Sequence, residues 1–131
     1  YVGPVNAVRN EVIGPAGPTT ASRMDQFMEM MLAELGVMGT IGKAERGENA
    51  VQTIKKYQSV YLSAVGGAAY LVSKAITSSK VVAFPELGME AIYEFEVKDM
   101  PVMVSIDTHG KSIYSEAPNR WKNKSIPLIT T

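Results

Sequence analysis

The chain has no cysteine. That removes disulfides, cysteine nucleophiles and cysteine-held zinc or iron–sulfur centres from its own repertoire. It has a single histidine, His109, so no metal site built from this chain alone is expected. Charge of one sign is also missing, because 13 basic residues balance 13 acidic ones. Duplex-binding modules concentrate positive charge, so we expect no nucleic-acid partner. Long apolar runs are absent too. The longest weakly polar stretch, Val60 to Val72, is 13 residues and contains Gly66 and Gly67. Spanning a bilayer takes about 20 apolar residues, so this stretch reads as core and no membrane partner is expected. The start, Tyr1-Val2-Gly3-Pro4, has neither the charged region nor the apolar run of a signal peptide. It reads as the end of a strand entered in mid-fold, so we expect N-terminal strands to be missing and the protein to be cytoplasmic.

What is present is an ordinary globular composition. Of 131 residues, 46% are hydrophobic and 20% charged, enough for one domain with a real core. Gly3, Pro4, Gly14, Pro15, Gly17 and Pro18 mark short strands and tight loops at the start. From Thr20 to Leu35 the period turns helical, with Met24, Phe27, Met28, Met31 and Leu35 on one face and Gly36 as the stop. Val37 to Ile41 reads as a short buried strand. Glu45 to Tyr57 reads as a second helix, with Val51, Ile54 and Tyr57 inward and Lys55 and Lys56 outward. Val60 to Val65 is strand-like, and a third helix is expected from Gly66-Gly67 through Ile76. Val81 to Phe84 and the alternating Ala91 to Val97 are further strands. Val102 to Ile106 and Ser112 to Tyr114 flank a turn at Asp107-Thr108-His109-Gly110, which predicts a hairpin. Strands alternating with helices give an α/β domain over residues 1–114, followed by a polar C-terminal tail over 115–131.

The segment richest in chemistry is Gly17-Pro18-Thr19-Thr20-Ala21-Ser22-Arg23-Met24-Asp25. A glycine–proline turn delivers two hydroxyls to a helix start, where unpaired N–H groups and the positive dipole end attract anions. Arg23 lies one turn in and has the fork to grip a carboxylate or phosphate. Lys43, just after Gly42, is placed to complete an anion pocket. The plainer reading is helix capping with a solvated Arg. Local chemistry leaves both open and favours capping slightly.

That segment, together with Gly42-Lys43, Tyr61-Leu62 with Gly66-Gly67-Ala68-Ala69, Pro85-Glu86-Leu87-Gly88-Met89-Glu90-Ala91-Ile92 and Glu96-Val97-Lys98-Asp99-Met100-Pro101, occurs in a telling order. In this combination the chain resembles the C-terminal domain, or separate β subunit, of the class I fumarate hydratase and L(+)-tartrate dehydratase family. The resemblance runs from about Tyr1 to Tyr114. It implies a swivelling three-layer β/β/α domain. It also implies a hydro-lyase that adds water reversibly across the double bond of a C4 dicarboxylate. Such enzymes use a 4Fe–4S cluster held by cysteines of the partner α subunit, one iron acting as Lewis acid toward the substrate hydroxyl. A hetero-oligomer of the (αβ)2 kind is therefore expected. By resemblance, Thr19 matches the threonine proposed as the base, and Arg23 and Lys43 match residues that bind substrate carboxylates. Ala44 stands where many relatives have glycine, which stiffens that loop.

Other residues read more plainly. His109 is expected to be a surface turn residue, although Asp-Thr-His-Gly also resembles tartrate-type relatives. The Glu-Leu-Gly-Met-Glu-Ala-Ile block is more fumarase-like, so fumarate is preferred and tartrate is the alternative. Glu86 and Glu90 suit capping or a charge pair with a basic neighbour better than paired catalysis. Met24, Met28 and Met31 suit packing, Tyr61 and Tyr70 suit packing across a strand and helix, and Trp121 suits anchoring to a partner subunit. A different class of reading is a non-catalytic anion-binding module.

Overall fold

The protein is described by a computed structural model covering residues 2–122. Among the described residues, seven strands form three small sheets. β1 (Val2–Pro4) pairs antiparallel with β2 (Ala16–Pro18). β3 (Gly39–Gly42) pairs parallel with β4 (Val60–Ala64), joined by the crossover helix α2 (Glu48–Lys56). β7 (Val102–Ile106) lies antiparallel on the other side of β4. β5 (Ile76–Ala83) and β6 (Ile92–Val97) form a separate antiparallel pair, in which Tyr93 and Phe95 stack with ring centroids 5.8 Å apart. The helices α1 (Met28–Ala33), α3 (Ala69–Lys74) and α4 (Ile113–Trp121) complete the α/β arrangement.

The main core gathers Ala21, Met28, Leu32, Ala50, Ile54, Tyr61 and Ile106, drawn from α1, α2 and the β3–β4–β7 sheet with its flanks. A smaller cluster joins Ile13, Ala16 and Ile76. In α2 the expected pattern holds. Ile54 is buried, Val51 and Tyr57 are half-buried, and Lys55 and Lys56 face water.

Several expectations need correction. The helix expected over Thr20–Leu35 is a 3-10 helix over Ala21–Phe27 that becomes α-helical only at Met28. The Ala21 carbonyl at its start also accepts a bond from the Arg46 guanidinium at 3.1 Å. Met28 and Leu32 are the buried residues, whereas Phe27 and Leu35 are exposed. Gly36 does end the helical stretch, with φ of 64°. The third helix stops at Lys74, and β5 starts at Ile76 rather than Val81, because pairing with β6 extends the strand through the polar Thr77-Ser78-Ser79-Lys80. Only a single bridge, Ile106 to Ser112, remains of the expected hairpin. Ser112 instead caps α4, its hydroxyl accepting from the Tyr114 N–H at 3.3 Å. The expected polar tail thus begins as helix, and residues 123–131 lie outside the described residues.

Candidate functional site

The site starts where β2 and β3 end. After Pro18 the chain runs alongside the end of β3, with Thr20 and Lys43 forming a parallel bridge. The Lys43 N–H donates to the Thr19 carbonyl at 3.1 Å, and the Ala21 N–H donates to the Lys43 carbonyl at 2.9 Å. Gly42 makes this approach possible. A Cβ there would sit 2.9 Å from the Ala21 Cβ, closer than packed carbons come. Thr19 and Lys43, far apart in sequence, therefore leave adjacent strand ends. Ligands of open α/β sheets gather at the carboxyl ends of strands.

The two side chains have different surroundings. The Thr19 hydroxyl is buried and has no hydrogen-bond partner among the described residues. Leaving a hydroxyl buried and unpaired costs about 1–3 kcal/mol, so such groups in folded proteins call for a reason. Lys43 is half-buried and lies along Gly66, where an added Cβ would come within 3.1 Å of the lysine Cδ. Beside it opens a cleft of about 480 Å³ at the carboxyl ends of β3 and β4, bordered by Lys43, Ser63, Gly66, Met103 and Tyr114. Arg23 is exposed on the 3-10 helix, and no hydrogen bond or ion pair joins it to Thr19 or Lys43. The structure thus brings two of the three expected residues together and leaves the third in water. Thr20 occupies the N-cap position but makes no side-chain cap bond, so its expected capping role is corrected.

The site's frame turns on Arg46, which did not stand out in the sequence, with Asp25 and Tyr61 as its partners. Arg46 is buried, its side chain 3% exposed. Its Nη1 donates to Asp25 Oδ1 at 2.7 Å as well as to the Ala21 carbonyl, and its Nη2 donates to Thr40 Oγ1 at 3.3 Å. Asp25 Oδ2 accepts from the Gly47 N–H at 2.7 Å. The guanidinium lies 4.9 Å from the Tyr61 ring centre, and the Tyr61 hydroxyl donates to the Ala44 carbonyl at 2.8 Å. Burial pushes the Tyr61 hydroxyl up to about 12, against the lowering effect of Arg46. Ala44 itself has φ of 65°, the left-handed region that a methyl-bearing residue disfavours. An arginine in a short loop normally reads as solvated, and no spacing rule links residue 25 to residue 46. Only the fold reveals the pair.

The remaining candidates resolve simply. His109 is exposed in its turn, and its N–H donates to Asp107 Oδ1 at 2.9 Å. That bond and the one from the Lys111 N–H hold the Asp107 carboxyl below its ordinary value. Glu86 and Glu90 are exposed, and among the described residues neither shows the expected capping bond or ion pair. Tyr61 packs in the core as expected, whereas Tyr70 is exposed and lies under the Lys74 ammonium at 4.8 Å. Trp121 is exposed at the end of α4. Among the described residues no group of three or more His, Asp or Glu is arranged to hold a metal, and the chain has no thiolate to offer a cluster. Its residues do not fit a 4Fe–4S cluster as ligands.

Residues 1–117 match the family model described as Fumarase C-terminus. The chain is 37% identical over 117 residues to the aerobic class I fumarate hydratase of Escherichia coli K12, covering 88% of this chain and 21% of that protein. It is 36% identical to fumarate hydratase 2 of Leishmania major, with the same coverage. A protein of Methanocaldococcus jannaschii described as an L(+)-tartrate dehydratase subunit beta is 34% identical over 134 residues, 98% of this chain and 69% of that protein. The chain spans about a fifth of the fumarate hydratases it matches. With the family model matched over almost nine-tenths of its length, the chain belongs to the fumarase C-terminal domain family.

Proposed function

We propose that this chain is the β subunit, or C-terminal domain, of an iron–sulfur-dependent hydro-lyase that reversibly hydrates fumarate to malate. The observation that carries the reading is the buried, unpartnered Thr19 hydroxyl on the strand end hydrogen-bonded to Lys43. A stability-driven sequence has no use for that hydroxyl, whereas proton transfer has. In the dehydration direction Thr19 takes the proton from the carbon next to the one bearing the departing hydroxyl. The C–H electron pair becomes the double bond. A threonine hydroxyl is a weak base, and burial makes its alkoxide costlier still. The Lys43 ammonium one strand away lowers that cost by its charge, and a carboxylate of the partner subunit first takes the hydroxyl's own proton. Lys43 and Arg23 hold the substrate carboxylates, Arg23 from the exposed side where the partner subunit would close the site.

The 4Fe–4S cluster belongs to the α subunit and, when bound there, supplies a Lewis acid toward the substrate hydroxyl. The assembly is a cytoplasmic (αβ)2 hetero-oligomer. Residues 1–114 belong to a swivelling three-layer β/β/α domain. No helix among the described residues is long and apolar enough to cross a membrane. A second reading, L(+)-tartrate dehydration by the same residues, draws on the Methanocaldococcus relative, of which this chain covers the larger share. The test is co-expression with a cluster-bearing α-type chain and anaerobic assay with fumarate and with L(+)-tartrate. Turnover of fumarate at the higher kcat/KM is expected. Preference for tartrate selects the second reading, and no turnover of either by a cluster-loaded complex overturns both.

A further inference from the structure

We propose that Arg46 is a positioning residue that sets the spacing between Thr19 and Lys43. The inference rests on the hydro-lyase reading for its catalytic consequence, but its geometric part stands without it. The guanidinium ties together the two segments that carry the site. Toward the Thr19 side it bonds the Ala21 carbonyl and Asp25, and toward the Lys43 side it bonds Thr40 on β3. Asp25 then reaches across to the Gly47 N–H, and the Tyr61 ring under the guanidinium holds Ala44 by its hydroxyl. Lys43 thus sits between two braced neighbours, Gly42 against Ala21 and Ala44 against Tyr61.

Stability alone explains this arrangement poorly. Buried ion pairs rarely stabilise more than apolar residues of the same shape, because two charges must leave water. The Arg46 Nε is also buried without a partner, a further unfavourable feature. What the planar fork does supply is fixed angles among groups on separate elements, which a flexible ammonium cannot reproduce. A base must meet its proton within hydrogen-bond reach, and a misplacement of about 1 Å costs rate on the order of 10²-fold.

The experiment compares Arg46→Lys and Asp25→Asn with the unaltered chain, in the complex with a cluster-bearing α-type subunit and as the full chain alone. In the complex, kcat is expected to fall by about 10²-fold with KM changed by less than about 3-fold, at temperatures well below each variant's unfolding transition. In the full chain, hydrogen exchange at the Ala21 and Lys43 amides is expected to quicken by about 10-fold or more while the Ile54 and Ile106 amides keep their protection. Equal loss of protection at all four amides in both variants means that the pair only holds the fold together, and overturns the proposal. So does unchanged exchange at Ala21 and Lys43. Quickened exchange there with unchanged kcat in an active complex overturns the catalytic part. An unaltered complex inactive on both substrates counts against the hydro-lyase reading, and the exchange result then decides the positioning by itself. Thr40→Val, which removes one hydroxyl from the fork, supplies the same readings should both charge variants fail to fold.

Discussion

The Lys43 N–H donates to the Thr19 carbonyl at 3.1 Å, binding two residues 24 positions apart into one strand-end junction. The amide that makes this bond and the carbonyl that receives the Ala21 N–H belong to the same lysine, so its backbone is fixed on both sides. Its half-buried side chain borders the cleft. On the Thr19 side the backbone is engaged and the hydroxyl is not.

That asymmetry predicts opposite effects of one substitution on stability and rate. Thr19→Val keeps the shape and removes an unpaired buried hydroxyl, so stability should stay level or rise by up to about 1 kcal/mol. In the assembled enzyme kcat should fall by about 10² or more with little change in KM. Denaturant unfolding and steady-state kinetics read the two. Thr20→Ala is the control, and with no cap bond to lose it should cost well under about 1 kcal/mol.

Arg23→Ala and Lys43→Ala should act mainly on KM, because on the proposed reading both side chains hold carboxylates in ground and transition states alike. Loss of one charge-assisted contact in a closed site is worth about 2–4 kcal/mol, or roughly 30- to 1000-fold in kcat/KM. Arg23 is exposed in the chain by itself, so Arg23→Ala should leave the stability of the isolated chain unchanged. A large drop in that stability would place Arg23 in the structural frame.

Ala44→Gly should stabilise the chain. At φ of 65° the methyl group is strained. Relief of a left-handed alanine, less the greater backbone freedom of glycine when unfolded, should give a gain of about 0.5–1 kcal/mol in urea unfolding. The Tyr61 bond to the Ala44 carbonyl involves only backbone on that side and should survive.

Alkaline pH should expose the buried tyrosine. Tyr61 holds its proton up to about 12, whereas an unfolded tyrosine loses it near 10. The folded state therefore binds that proton more tightly. The associated stability is fully present below pH about 10 and is lost as pH climbs toward 12. Unfolding free energies measured across that window should fall more steeply for the unaltered chain than for Tyr61→Phe. Parallel curves would mean that Tyr61 ionises like a solvated phenol.

Much of this protein was legible before any coordinates. The amphipathic period of α2, the strand alternation of β6 and the turn at Asp107–Gly110 are local, since each depends on neighbours within a few residues. The ordered blocks that mark the family were legible too, because the family match needs no tertiary contact. Elements decided by distant partners were not legible. The Thr20–Leu35 period gave a helix but not its 3-10 start, nor the bond that its Ala21 carbonyl accepts from Arg46, 25 residues away. The polar Thr77–Lys80 run became strand because β6 pairs with it, and Ser112–Tyr114 turned helical once Ser112 capped α4. The junction of Thr19 with Lys43, the burial of Arg46 against Asp25 and Tyr61, and the unpaired Thr19 hydroxyl belong to the tertiary structure alone. Sequence fixes which groups a chain can offer; which of them lose water, and which are left without a partner, is settled only when remote segments pack.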